Sequence, residues 1–490
     1  MSHVSLRMAA LLAALPVVVV AQPHLPAAPP EVCEATTGDA RALLDRAARA
    51  VGLDREGVLH AHTADVVLQL HQSDRPYPPY FAYVQSVELW FDPATSVERA
   101  EGSFVFPGRG PSPSPITFRD ADRFQVERGG TRQNADPMFG PARELNAWAV
   151  LRDWRAAGDA AVVAECTYHD FPRVVLERTT GHGPERLYLD PESALPVKLD
   201  REEGPAASRS IWGPTHVEFV YQTWIAVGDR SVPAASFRVV DGMVATSRTV
   251  GEAGVVARAD APEVAMAEDT PLPPSPFDAA PDTVRVADGV YLLVTPVYTE
   301  AAALIGDTVV VFDATTSGAR AAHDRAWVER LFPGSHPVEV VVTDLAWPHV
   351  GGVREWVAAG ATVVSHRVSE PFVRGLVERR WTREPDRLEA RRGEVALQFV
   401  GVDGSMELAD GRVRVATIGG IGSEGALVAY LPETGFLWAG DHVQTVDGPS
   451  DYAAEVVAAV RREGWTPRKV AAQHLPLTPW QAVLDANPSP

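Results

Sequence analysis

Three features of the sequence predict an α+β fold in two parts. Residues 57 to 260 carry short, β-rich segments separated by turn signals, with one helical stretch among them. Residues 262–282 form a proline-rich interval holding Pro271, Pro273, Pro274, Pro276 and Pro281. From residue 283 onward, strand-like and helix-like segments alternate, the pattern of mixed sheets with helices outside. A chain of 490 residues is also too long for one ordinary core. The expected organisation is a signal peptide at 1–21, a flexible leader at 22–36, a β-rich, mostly antiparallel domain at 37–261, a linker at 262–282 and a second domain at 283–490.

Hydrophobic residues make up 46% of the chain and charged residues 22%, a globular balance. The net charge of −20 argues against nucleic acid as a partner, since phosphate binding needs a basic face. At the start, His3 and Arg7 precede the apolar run Met8 to Val20, and Val19-x-Ala21 offers small residues for cleavage before Gln22. The run is short for a membrane span, so an exported protein, periplasmic or secreted, is expected, with no retained transmembrane helix. Cys33 and Cys166 could pair in that compartment or stand as two thiols, because the sequence does not set their distance.

Taken in order, Thr37-Gly38-Asp39 caps a helix through Val51. It places Leu43, Leu44, Ala47, Ala48 and Val51 on one side and stops at Gly52. Strands are expected at 65–70, 84–91, 103–106, 124–127, 174–177, 186–189 and 217–224. A helix at 141–157 carries Leu145, Trp148, Leu151 and Trp154 at helical spacing. These tryptophans, with Trp90, Trp212 and Trp224, read as core. The hairpin from Leu187 to Leu199 resembles one in periplasmic lipoprotein-carrier half-barrels, which implies an apolar ligand; packing against the other half explains it equally.

In the second part, 284–293 reads as an opening hairpin. Thr308-Val309-Val310-Val311-Phe312-Asp313 is a buried strand ending in an acid, and a helix follows at 319–331. The decisive stretch is Val338-Glu339-Val340-Val341-Val342-Thr343-Asp344-Leu345-Ala346-Trp347-Pro348-His349-Val350-Gly351-Gly352-Val353. A β-branched run stops at a loop ending in His349. The glycine pair then lets backbones pass closely as a helix begins. Further strands are expected at 361–365, 395–400, 412–418, 426–431 and 436–439, with helices at 353–358 and 452–462.

This stretch resembles the metallo-β-lactamase fold superfamily, where such a strand delivers Thr-His-x-His-x-Asp-His before Gly-Gly and a helix. The resemblance covers roughly the last 200 residues and implies an αββα sandwich binding one or two metal ions. Asp344 stands at the first histidine position, Ala346 at the second and Pro348 at the aspartate position; only His349 matches. Gly422 replaces the third histidine, whereas Asp441 of Gly440-Asp441 and His474 of the late strand are kept. One site of the usual pair is therefore lost. His349, Asp441 and His474 could hold a single zinc ion, with Asp344 as base, and no other cofactor is implied.

Two readings follow from the resemblance. One is an inactive or non-standard member that binds a small molecule or a protein in the old cleft. The other is a hydrolase of an ester, amide, lactone or phosphoester, using one metal ion. Other motifs weigh less. Gly420-Ile421-Gly422-Ser423-Glu424-Gly425 spells a dinucleotide fingerprint, but a short, β-like segment follows it instead of a helix. Ser423-Glu424 with His442 or His474 lacks a nucleophile-elbow pattern. His60 and His62 share a strand face, with His71 nearby in sequence, and read as a solvent-facing pair.

Overall fold

The computed structural model describes residues 31–68, 82–105, 111–136, 142–168, 170–181, 183–204, 211–419 and 425–488. The expected signal peptide, Gly422 and His71 lie outside them.

The N-terminal half is built on one fourteen-stranded antiparallel sheet. One meander runs through Ala161–Tyr168, Phe171–Thr180, Gly183–Leu189, Pro196–Glu203, Thr215–Val227, Arg230–Val240 and Met243–Val256. That last strand pairs with Val58–Leu68, which opens a second meander through Ala82–Asp92, Val97–Val105, Ser112–Arg119, Phe124–Arg128 and Thr131–Asn134. Val32–Ala35 adds an edge strand to Ala161–Tyr168. Two helices, α1 (Ala40–Val51) and α2 (Ala147–Ala157), pack on this sheet. Their buried faces share one core with Leu59, Phe91, Leu176, Leu187, Leu199, Phe219 and Val232, which come from strands spread across the sheet. A sheet whose distant strands reach the same two helices must curve around them.

Local signals set the helix ends. Asp39 accepts a hydrogen bond from Ala42 N at 2.9 Å, and Gly52 closes α1 at φ +73°. The second helix starts at Ala147, later than the expected 141, because Asn146 caps it by accepting from Trp148 N at 3.1 Å. Trp148 and Trp154 are fully buried. The strand Ser112–Arg119 escapes a propensity reading because of Pro113 and Pro115. The ladder tolerates them beside a register shift opposite Ala100 to Gly102.

The proline-rich interval is not a free spacer. Arg132 donates to Ala265 O at 3.0 Å, Ala267 N to Gln125 Oε1 at 2.8 Å, and Asn134 N to Thr270 Oγ1 at 3.0 Å. Further on, Thr316 Oγ1 donates to Phe277 O at 2.6 Å, so the interval is stitched to both halves. The halves also meet directly. Ile211 enters the core under the C-terminal helices, and Trp212 packs edge-on against Phe372 at 5.1 Å. Arg379 reaches Asp241 at 2.8 Å.

The C-terminal half has two sheets. The seven-stranded sheet is antiparallel from Asp282–Ala287 through Thr308–Phe312, then parallel through Val338–Val341, Thr362–His366 and Gln398–Val402. The six-stranded sheet runs from Ser405–Leu408 to Thr478–Pro479. Alternate side chains divide the buried faces. Val310, Phe312, Val341 and Val364 meet Val415, Ala429 and Trp438 between the sheets. Val309, Val311 and Val340 face helices at Gly318–Leu331, Val353–Ala358 and Glu370–Glu378. Val428 and Leu437 face Asp451–Arg462 and Trp480–Ala486. The order is helix, sheet, sheet, helix.

Among the described residues no helix is long and apolar enough to cross a membrane. Cys33 and Cys166 are register partners across the edge ladder and are joined by a disulfide spanning 133 residues of sequence. Replacing both by serine is expected to lower the unfolding free energy by about 2–5 kcal/mol. Urea denaturation measures this, and a loss below about 1 kcal/mol would mean that the edge strand is held by its ladder alone.

Candidate functional site

The site forms where the two sheets meet at the ends of their central strands. Strand Thr308–Phe312 delivers Asp313, which takes φ +74°, a left-handed conformation that aspartate tolerates better than most residues. This turn directs the carboxylate back across the strand ends. Asp313 Oδ1 accepts from Thr343 N at 2.8 Å and Thr343 Oγ1 at 2.7 Å, and Oδ2 accepts from Trp438 Nε1 at 2.9 Å. One buried carboxylate thus ties three strand ends.

The neighbouring strand ends in the loop that carries Asp344 and His349. Asp344 Oδ1 accepts from Ala346 N at 2.7 Å, turning the chain, and Pro348 lies in the first turn of a short helix at Trp347–Val350. The glycine pair behaves as its sequence suggests. A Cβ on Gly351 would sit 2.1 Å from Thr316 O, and one on Gly352 2.5 Å from the Ala321 Cβ. That close approach lets Gly352 N donate to Ala314 O at 2.8 Å and Ala314 N to His349 O at 2.9 Å.

His349 is completely buried between two carboxylates. Its Nδ1 lies 3.1 Å from Asp313 Oδ2 and 3.2 Å from Thr343 Oγ1, and its Nε2 lies 3.1 Å from Asp344 Oδ2. The Nε2 contact is an ion pair without hydrogen-bond geometry. Burial disfavours the imidazolium, but Asp344 and Asp313 outweigh it and raise the pKa to about 10. His442 is the opposite case. Its Nε2 is 3.8 Å from Asp344 Oδ2 and makes no hydrogen bond among the described residues. Burial and the His349 cation lower its pKa to about 3.

Asp441 and His474 form a second, more open pair. His474 Nε2 lies 3.5 Å from Asp441 Oδ1, and both side chains are about one-third exposed, at 35% and 30%. Asp441 Oδ2 accepts from Gln444 Nε2 at 2.8 Å. Gln473 positions the pair: its N donates to Gly440 O at 2.8 Å and its Nε2 to Pro348 O at 2.9 Å. The His474 ring lies 4.8 Å from Tyr298, which packs with Trp347 at 5.7 Å and with Phe277 at 6.0 Å. Burial and the charge of Asp441 raise the Tyr298 pKa, keeping the phenol neutral.

The fold thus brings Asp441 to His474 and Asp344 to His349. The donor atoms of His349, Asp441 and His474 do not gather within 4.8 Å of one another. Among the described residues the one three-residue group that does is Glu31, Cys33 and Cys166, whose sulfurs are joined to each other. The zinc set expected from the sequence therefore does not fit this arrangement. Asp344 serves as the counter-charge of His349.

Sequence reasoning missed Asp313 as a site residue, and also Tyr298 and Phe277, and it weighed His442 only beside Ser423-Glu424. The acid at the end of a buried strand was the one available signal for Asp313. The remaining motifs are explained locally. The glycine fingerprint lies mostly outside the described residues, and Leu427–Leu431 after it is a strand. His60 stacks on Trp90 at 3.9 Å and pairs with Glu88, while His62 Nε2 lies 3.0 Å from Ser86 Oγ.

No protein-family model matches the chain, and no curated protein matches it. Solved structures similar to it include metallo-β-lactamases. One from Erythrobacter litoralis, with β-mercaptoethanol in its active site, is 16% identical at a TM-score of 0.34, covering 42% of this chain and 96% of its own. The mono-zinc form of FIM-1 from Pseudomonas aeruginosa is 14% identical at a TM-score of 0.33, covering 42% of this chain and 93% of its own. At these identities and scores nothing about activity follows.

The raised pKa of His349 sets a pH dependence. Its contribution to stability is complete below the unfolded value of about 6.5 and is lost as pH rises through about 10. His442 contributes the reverse: stability present above about 6.5 and lost as pH falls toward about 3. Urea unfolding at pH 6, 8 and 10 should show a decline toward alkaline pH that His349→Gln flattens. An unchanged slope in the variant would mean that His349 is neutral. Asp344→Asn is expected to cost about 3–5 kcal/mol at neutral pH, measured the same way, because it strips a buried cation of one partner.

Proposed function

We propose that this exported protein uses a metallo-β-lactamase fold without two-metal hydrolysis, and acts by holding a ligand or protein partner beside Asp441 and His474. One observation carries the reading. Asp313 and Asp344 enclose His349 from both ring nitrogens, so their carboxylates are already occupied by a side chain of the chain's own. The Asp441–His474 pair is left partly open to solvent, next to Tyr298 and Trp347. A carboxylate and an imidazole beside aromatic rings suit a ligand with an apolar body and a polar or cationic group. Export is supported by the Cys33–Cys166 disulfide, which an oxidising compartment preserves. Nucleic acid is disfavoured as a partner by the net charge of −20.

A second reading, hydrolysis with a single metal ion at His349, Asp441 and His474, draws on the short distance between Asp441 and His474. Metal analysis of zinc-supplemented protein separates the two. On the binding reading the protein emerges metal-free, its melting temperature does not move when zinc is added, and it turns over no ester, amide, lactone or phosphoester. Near-stoichiometric zinc that disappears in His474→Ala, together with measurable hydrolysis, would replace it with the enzymatic one.

A further inference from the structure

A cleft of about 1040 Å³ lies at one end of the N-terminal sheet and is lined wholly by residues of that half. It is bounded by the loop after α1, the turn at Pro93, the outer face of α2 and the chain leaving strand Met243–Val256. Five of its fifteen lining residues are arginines: Arg41, Arg55, Arg152, Arg155 and Arg258. This is a marked concentration in a chain with only 44 lysines and arginines among 490 residues and a net charge of −20.

The guanidinium groups are not equally committed. Arg155 is held by Asp45 at 2.7 Å and by Asp54. The pairs Arg55–Asp229 at 3.4 Å and Arg41–Asp45 at 3.5 Å have mostly exposed arginines and are weakly held. Arg258 reaches Asp92 at 2.6 Å from an exposed position. Arg152 donates from Nε to Pro93 O at 2.9 Å, and its two terminal nitrogens have no partner among the described residues. Behind the wall, Arg230 is 3% exposed and donates to the Glu56 carbonyl, while Nε and Nη1 make no hydrogen bond among the described residues. The nearest carboxylate to it is Asp229, at 3.8 Å. Burial and the neighbouring Arg55 depress its pKa, the signature of a cation short of counter-charge.

We propose that this cleft binds an organic phosphate, its phosphoryl group taken by Arg152 and Arg258 and its apolar body laid against the exposed Ala94, Ala156 and Val255. Guanidinium forks match phosphate oxygens in paired hydrogen bonds, and a tetrahedral dianion can serve arginines on different walls at once. The buried Arg230 adds positive potential from behind, where solvent screens it least. The volume far exceeds that of a lone phosphate and suits a larger ligand. The proposal does not depend on the reading of the C-terminal half.

The test is calorimetric titration of the full chain with phenyl phosphate, inorganic phosphate and phenylacetate, at ionic strength held constant with sodium chloride. Saturable binding is expected, tightest for phenyl phosphate, and Arg152→Gln should weaken it about tenfold or more. Should that variant fail to fold, Arg258→Gln, at an exposed position, serves the same comparison. Absence of saturable binding overturns the proposal, as does unchanged affinity in the folded variant. Phenylacetate binding as tightly as phenyl phosphate overturns the phosphate assignment, and inorganic phosphate doing so overturns the organic body.

Discussion

His349 lies where water does not reach, and Asp313 and Asp344 on either side of its ring raise its pKa to about 10. An unpaired ion at that depth would lose its proton, since burial always favours the neutral form. The same carboxylate that balances the ring also gathers Thr343 and Trp438, which stand on different strands. The charge is therefore a joint as well as a partner. The left-handed turn at Asp313 and the backbone crowding at Gly351 and Gly352 are both constraints of closing it. Once closed, the joint fills the space at the strand ends with fixed groups of opposite sign.

The C-terminal frame was legible to a large degree because its signals are local. A run such as Val338 to Val342 has one sensible conformation, and the alternation of inward and outward side chains follows from strand geometry. Gly351 and Gly352 announced a close crossing, and one is present. The partners of His349 were not legible. Asp313 is 36 residues away in sequence, and nothing along the chain states that it turns back. His442 was weighed only beside Ser423-Glu424, and its burial next to His349 was not visible along the chain.

The N-terminal half shows the complementary failure. Strands such as Thr131–Asn134 and Ser112–Arg119 lack a clear apolar alternation, and their membership in one sheet comes from pairing across the fold. The proline-rich linker has partners that its composition does not announce. Its residues lie along Gln125, Arg132 and Asn134 and then place Phe277 against Tyr298 and Trp347. Polar side chains on an outer strand captured the backbone that the prolines left without regular partners. The aromatic wall beside His474 is thereby completed by a residue from the connecting segment.

The covalent tie at the sheet edge bears on the order of assembly. Cys33 is synthesised 133 residues ahead of Cys166, and its strand has no ladder to join until Ala161–Tyr168 exists. During that interval the early thiol is open to other oxidants and thiols, so the correct cross-link is governed by timing as much as by proximity. The edge strand is thus sealed only once the strand that receives it has been made.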